Sequence, residues 1–152
     1  MKILDFLSIE RIIPNIQSRD KMGVIDELAK AVADTTSAEK SEIAKVLLER
    51  EQLGSTGIGD GIAIPHGRLN SIDSIIMGFG SSGKGIEYDA IDDKPVNIFF
   101  LLLTPENSTG GHLKVLAQIS KLLKSKQFKT DLGNAKSEQE VLEIIQEADE
   151  NF

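Results

Sequence analysis

Cysteine and tryptophan are absent from this chain, and histidine occurs only twice. Without cysteine there is no disulfide, no thiolate zinc site and no cysteine nucleophile. A reducing, cytoplasmic setting is the compatible expectation. Basic residues are scarce as well: 17 Lys and Arg face 24 Asp and Glu, a net charge of −7. Nucleic acid and anionic membranes are held by clustered cations, so neither is an expected partner, whereas a protein with a basic face suits this balance. Long apolar runs are also missing. The longest, Ile98 to Leu103, is strand-sized and far short of the ~20 residues that cross a bilayer. The amino terminus, "MKILDFLSIERI", is interrupted by Asp5 and Glu10 and lacks the apolar centre of a signal peptide.

What remains is a chain of 152 residues with 40% hydrophobic content, enough for one well-filled core. No repeat or linker divides it, so residues 1–152 are expected to form a single compact domain. A first strand is expected over residues 12–17. Ser18 then offers a cap for a helix reaching about Asp34, with Met22, Ile25, Leu28, Ala29 and Val32 on its apolar face. Ser37 offers a cap for a second helix that ends near Leu53 and is closed by Gly54. The glycine-punctuated "STGIGDGIAIP" reads as a loop followed by a short strand. "SIIMGFG" and "VNIFFLLLT" read as strands, the latter buried on both faces. Gly110-Gly111 opens a third helix, and the capping-box pattern Ser137-Glu-Gln-Glu140 starts a last one. Alternating helices and strands make the class α/β, a mixed sheet flanked by helices.

Three residues stand out chemically. His66 follows Pro65 and precedes Gly67 in "GIAIPHG"; proline stiffens the approach and glycine leaves the ring uncrowded. Turns use the same residues for shape alone, which keeps a solvated loop histidine open as an alternative. Arg50 falls on the helical stripe of Ile43, Val46 and Leu47, since residues 43 and 50 lie two turns apart. It is either an arginine snorkelling from the last turn or a guanidinium held over a cleft to receive an oxyanion. His112 opens the third helix, where free N–H groups and the positive dipole end favour an anion; an inconsequential first-turn histidine is the alternative. A metal-dependent hydrolase is poorly supported, because such sites need three protein ligands and the chain has no closely spaced histidine pair. Two histidines and an arginine instead match phosphoryl transfer through a histidine, in which one ring nitrogen attacks phosphorus and the other holds the proton.

The segment "LLEREQLGSTGIGDGIAIPHG", Leu47 to Gly67, resembles the active-site signature of the fructose/mannitol-type enzyme IIA of the bacterial phosphoenolpyruvate-dependent phosphotransferase system. That group includes the nitrogen-regulatory enzyme IIA proteins. The later "GGHLKVLAQISKLL" resembles the family's second histidine and the helix that follows it, and the likeness spans nearly the whole chain. The resemblance implies a phosphotransferase/anion-transport-protein-like fold and the phosphorylated histidine at His66, with Nε2 as acceptor. It also implies an assisting histidine at His112 and a phosphate-contacting arginine at Arg50. Asp60, at a position that varies in the family, is given no catalytic role. No cofactor and no metal are implied. The implied donor is an HPr-type phosphocarrier protein, and the implied onward partners are a IIB protein or regulated target proteins. A cysteine-bearing IIB domain and a membrane IIC domain are not expected within this chain. That favours the nitrogen-regulatory type, with a soluble sugar-specific IIA as the alternative.

Overall fold

The computed structural model describes residues 2–107 and 110–150, with the side chains of Gly111 and His112 also outside the description. After a 3-10 turn at Ile3–Asp5 come β1 (Leu7–Ile13), α1 (Lys21–Ala33) and α2 (Lys40–Gln52). Three short strands follow: β2 (Gly57–Gly59), β3 (Ile62–Ala63) and β4 (His66–Leu69). Then come β5 (Ile76–Ile86), β6 (Val96–Pro105), α3 (Gly111–Leu122), α4 (Lys126–Asn134) and α5 (Glu138–Glu150). The strands form one mixed sheet in the order β1-β5-β6-β3-β2, with β4 also paired to β6.

β6 is the spine of the sheet, and its composition explains why. Phe99, Leu101 and Leu103 pack into one apolar cluster with Val24, Ile25, Leu28 and Val32 of α1 and Ile43 and Leu47 of α2. Ile98, Phe100 and Leu102 pack into a second cluster with Val115 and Ile119 of α3, Phe128 and Leu132 of α4, and Val141 and Ile145 of α5. Alternation by two sends successive side chains to opposite faces, so a strand covered on both sides reads as an unbroken apolar run. Each such side chain stabilises the fold by roughly 1.5–3 kcal/mol. The result is a sheet between two helical layers, as the sequence predicts.

Several local expectations shift. The first strand runs Leu7–Ile13 rather than over residues 12–17. Pro14 lacks an N–H and ends it, although the Ile16 N–H still reaches the Ser81 carbonyl at 2.9 Å. The α1 cap is Asp20, whose Oδ1 accepts from the Gly23 N–H at 2.8 Å, while Ser18 Oγ donates to Glu27 at 2.7 Å instead. Met22, expected on the apolar face, is solvent-exposed, and Val24 is buried. α2 begins after Glu39 with no side-chain cap, so Ser37 does not cap it. α4 is an additional helix, capped by Ser125 Oγ on the Phe128 N–H. The Ser137 box is half formed: Ser137 Oγ accepts the Glu140 N–H, but the Glu140 carboxylate takes the N–H of Lys136. Among the described residues, no helix is long and apolar enough to cross a membrane.

Candidate functional site

β3 and β4 lie end to end along one edge of β6. β3 pairs in parallel with Ile98 and Phe99, and β4 with Leu102 through Pro105. Between them, Ile64 and Pro65 bend the chain, with the Leu102 N–H donating to the Pro65 carbonyl at 2.9 Å. His66 therefore opens a strand rather than sitting on a turn. Its neighbour across the ladder is Leu102, which belongs to the α3 side of the sheet.

The half-buried ring of His66 is fixed by one hydrogen bond. Nδ1 lies 2.8 Å from the Ile64 carbonyl, and a carbonyl oxygen only accepts, so Nδ1 carries the proton. A neutral ring in that tautomer keeps its lone pair on Nε2. The backbone two residues upstream thus selects which nitrogen is the nucleophile.

Gly67 does more than leave the ring uncrowded. A Cβ at this position would run into Val46 Cγ1, so only glycine lets α2 lie directly on β4. Val46 and Arg50 stand one helical turn apart on the same face. Seating Val46 on Gly67 carries Arg50 to the rim beside His66. The Arg50 Nη1 donates to the Gly54 carbonyl at 2.8 Å, just beyond the helix end, which restrains the guanidinium without saturating its donors. Arg50 lines a concave site, as the oxyanion reading requires, and its bond to Gly54 just past the helix end is equally what the snorkelling reading expects.

That site is a cleft of about 450 Å³, lined by Glu49, Arg50, His66, Gly67, Arg68 and Thr104 among apolar walls from Val46, Leu53, Leu102, Leu113 and Leu116. Arg50 and His66, singled out separately in the sequence, meet here. Arg68 is an addition. It is exposed, and two residues beyond His66 on the same strand it shares that residue's face, opposite Thr104 of β6. The period-two rule would have flagged it had the segment after Pro65 been read as a strand. His112 stands in the first turn of α3, next to Leu113 of the cleft wall; its side chain lies outside the described residues. Gly110 precedes that helix at φ +81° and provides no side-chain cap. Asp60 occupies the β2–β3 turn at φ +57°, and its N–H donates to Asp92 at 3.1 Å. Among the described residues no group of three His, Asp or Glu side chains could hold a metal ion.

A family model described as the phosphoenolpyruvate-dependent sugar phosphotransferase system, EIIA 2, matches residues 5–148. A nitrogen regulatory protein of Bradyrhizobium diazoefficiens is 34% identical over 145 residues, which cover 95% of each chain. The fructose-specific EIIABC component of Bacillus subtilis is 34% identical over 150 residues, 98% of this chain and 24% of that protein. Among solved structures, the nitrogen regulatory protein IIA-Ntr of Neisseria meningitidis superposes with a TM-score of 0.87 at 33% identity, covering 93% of this chain and 97% of the other.

Proposed function

Since the chain belongs to the type-2 enzyme IIA family of the phosphoenolpyruvate-dependent sugar phosphotransferase system, we propose that residues 1–152 act as one enzyme IIA domain. In this reading it is a cytoplasmic phosphotransferase component that takes a phosphoryl group onto His66 Nε2 from an HPr-type phosphocarrier. The observation that carries the proposal is the Nδ1–H bond to the Ile64 carbonyl. It leaves a lone pair on Nε2 within a cleft that also holds Arg50 and Arg68.

The step balances simply. The Nε2 lone pair forms a bond to phosphorus as the N–P bond of the donor phosphohistidine breaks, and the donor ring leaves with that electron pair. The proton stays on Nδ1, donated to the Ile64 carbonyl, throughout. The equatorial oxygens meet the planar guanidinium of Arg50, which acts on the charge as it spreads in the transition state. Arg68 supplies a second guanidinium, and His112 a supporting donor. Exposed Leu53 and Leu113 flank the cleft, an apolar rim suited to a protein donor. Unlike a small phosphate ester, such a donor covers the site and excludes water.

The onward role proposed is regulatory, through the charge that phosphorylation adds to this face, in keeping with the relatives that carry nitrogen-regulatory names. The fructose-specific relative supports a second reading, donation to a separate IIB protein during sugar uptake. Incubation with phosphoenolpyruvate, enzyme I and the carrier should place an acid-labile label on His66, and His66→Ala should carry none. An unlabelled wild type, or full label in His66→Ala, ends the proposal. Chase of labelled protein with a IIB protein separates the two onward roles.

A further inference from the structure

Beneath the Arg50 rim lies a buried polar cluster that the transfer scheme does not use. The side chain of Glu51 is 4% exposed. Placed at the carboxyl end of α2, its carboxylate meets the negative end of the helix dipole as well as losing water. Three donors compensate: Lys21 Nζ of α1 at 3.0 Å, the Thr56 N–H at 3.0 Å from Oε2, and the Thr56 hydroxyl on Oε2. An ionised carboxylate has no proton to give, so that hydroxyl donates to Glu51. Its oxygen then accepts from the Tyr88 hydroxyl, 3.0 Å away. The Lys21 ammonium also lies 4.9 Å from the centre of the Tyr88 ring. The cluster is thus fully partnered and has one direction of donation throughout.

Its two anchors bracket the turn that holds the arginine. Glu51 is in the last turn of α2 and Thr56 stands just before β2, while Gly54, whose carbonyl binds Arg50, lies between them. The Gly54 N–H in turn donates to the Glu51 carbonyl at 3.1 Å. Apolar residues of similar volume would join α1 to α2 equally well; what charge and hydrogen bonds add is a fixed path for residues 53–56. We propose that Glu51 is a positioning residue: held by Lys21, Thr56 and Tyr88, it sets the turn whose Gly54 carbonyl aims the Arg50 guanidinium into the His66 cleft. This deepens the phosphoryl-transfer reading above and rests on it.

Glu51→Gln keeps the shape and loses the charge, and is expected to remain folded by circular dichroism. Its Arg50 side-chain N–H resonance should move to the position of a freely rotating arginine. Single-turnover transfer from the phosphorylated carrier should fall about tenfold at saturating carrier, as displacement of a donor by a fraction of an ångström requires. The half-saturating carrier concentration should stay within about twofold, since docking is untouched. In an Arg50→Met background the same substitution should cost nothing further. Thr56→Val should reproduce the loss and Thr56→Ser, which retains the hydroxyl, should not; this pair decides the matter if Glu51→Gln fails to fold. A folded Glu51→Gln with a native Arg50 resonance and native rate overturns the proposal, as does a tenfold loss that persists without Arg50. If wild-type protein takes no label on His66, the transfer reading fails instead, and the Arg50 resonance alone decides the positioning.

Discussion

Arg11, in the irregular stretch of β1, directs Nε to the Met77 carbonyl at 2.9 Å, Nη2 to the Phe6 carbonyl at 2.9 Å and Nη1 to Thr35 Oγ1 at 3.1 Å. Arg50, at the end of α2, gives one hydrogen bond, to Gly54, among the described residues. Both carry the same five-donor fork. Arg11 fills a gap where the register between β1 and β5 slips between Leu7 and Ile12, and it satisfies carbonyls there. Burial pushes its guanidinium down from the ordinary value, with the Glu10 charge opposing the shift. Arg50 is tethered by one corner and lines the cleft that His66 also lines. Arg11 gives three of its five donors to the protein and so holds structure together, whereas the single bond of Arg50 leaves more of its fork for the oxyanion proposed above.

Exchanging each arginine for methionine, which keeps much of the apolar stem, breaks this contrast most directly. Arg50→Met is expected to slow transfer to His66 by roughly 10²–10³-fold, the loss seen when one transition-state donor is removed. Its urea midpoint should report a stability change under about 1 kcal/mol, because the side chain has one protein partner to lose. A large loss of stability with native transfer would place Arg50 with Arg11. Gly67→Ala should come next. The new methyl meets Val46 and pushes α2 off β4, which should cost about 1–3 kcal/mol and slow transfer as well, since Arg50 travels with the helix. Arg11→Met should follow at about 1–2 kcal/mol, with transfer within about twofold of wild type. A transfer defect in a folded Arg11→Met would mean that the bulge communicates with the cleft.

The same contrast explains what the sequence discloses and what it conceals. Residues 96–104 are legible as a doubly buried strand because the apolar run leaves no solvent face. Arg50 and His66 are legible because helical spacing and the proline–histidine–glycine pattern are local signals. β1 is poorly legible because its register slip breaks the alternation that marks a strand, leaving only Leu7 and Ile12 fully buried. Arg68 is missed for a related reason: read as a turn, the segment after Pro65 gives no ground for expecting two residues apart to share a face. The Glu51 cluster is assembled from α1, the end of α2, the turn before β2 and the segment just after β5, and no local pattern brings Lys21 and Tyr88 to one carboxylate. Strand order, set by packing across the whole chain, is equally silent.

The smallest expected effect tests the polar cluster beside Arg50 through pH. Burial raises the Tyr88 phenol above its ordinary value of 10.0, and the Glu51 charge adds to the rise. The unfolded chain ionises near that ordinary value and the folded one later. Below it both states hold the proton and stability is independent of this group. Above it the unfolded chain binds fewer protons, so the contribution is progressively lost as pH climbs towards the raised folded value. At about pH 11 the loss is on the order of 1 kcal/mol. Urea midpoints followed from neutral to alkaline pH should therefore bend downward in the wild type. Tyr88→Phe should begin about 1 kcal/mol lower, with the Thr56 oxygen deprived of its donor, and should lack this component of the bend. Arg11→Met should keep it in full, since the register slip shares no partner with the phenol. An equal alkaline loss in Tyr88→Phe would show that the phenol is solvated in solution, and the fastening of the turn beneath Arg50 would lose its outermost member.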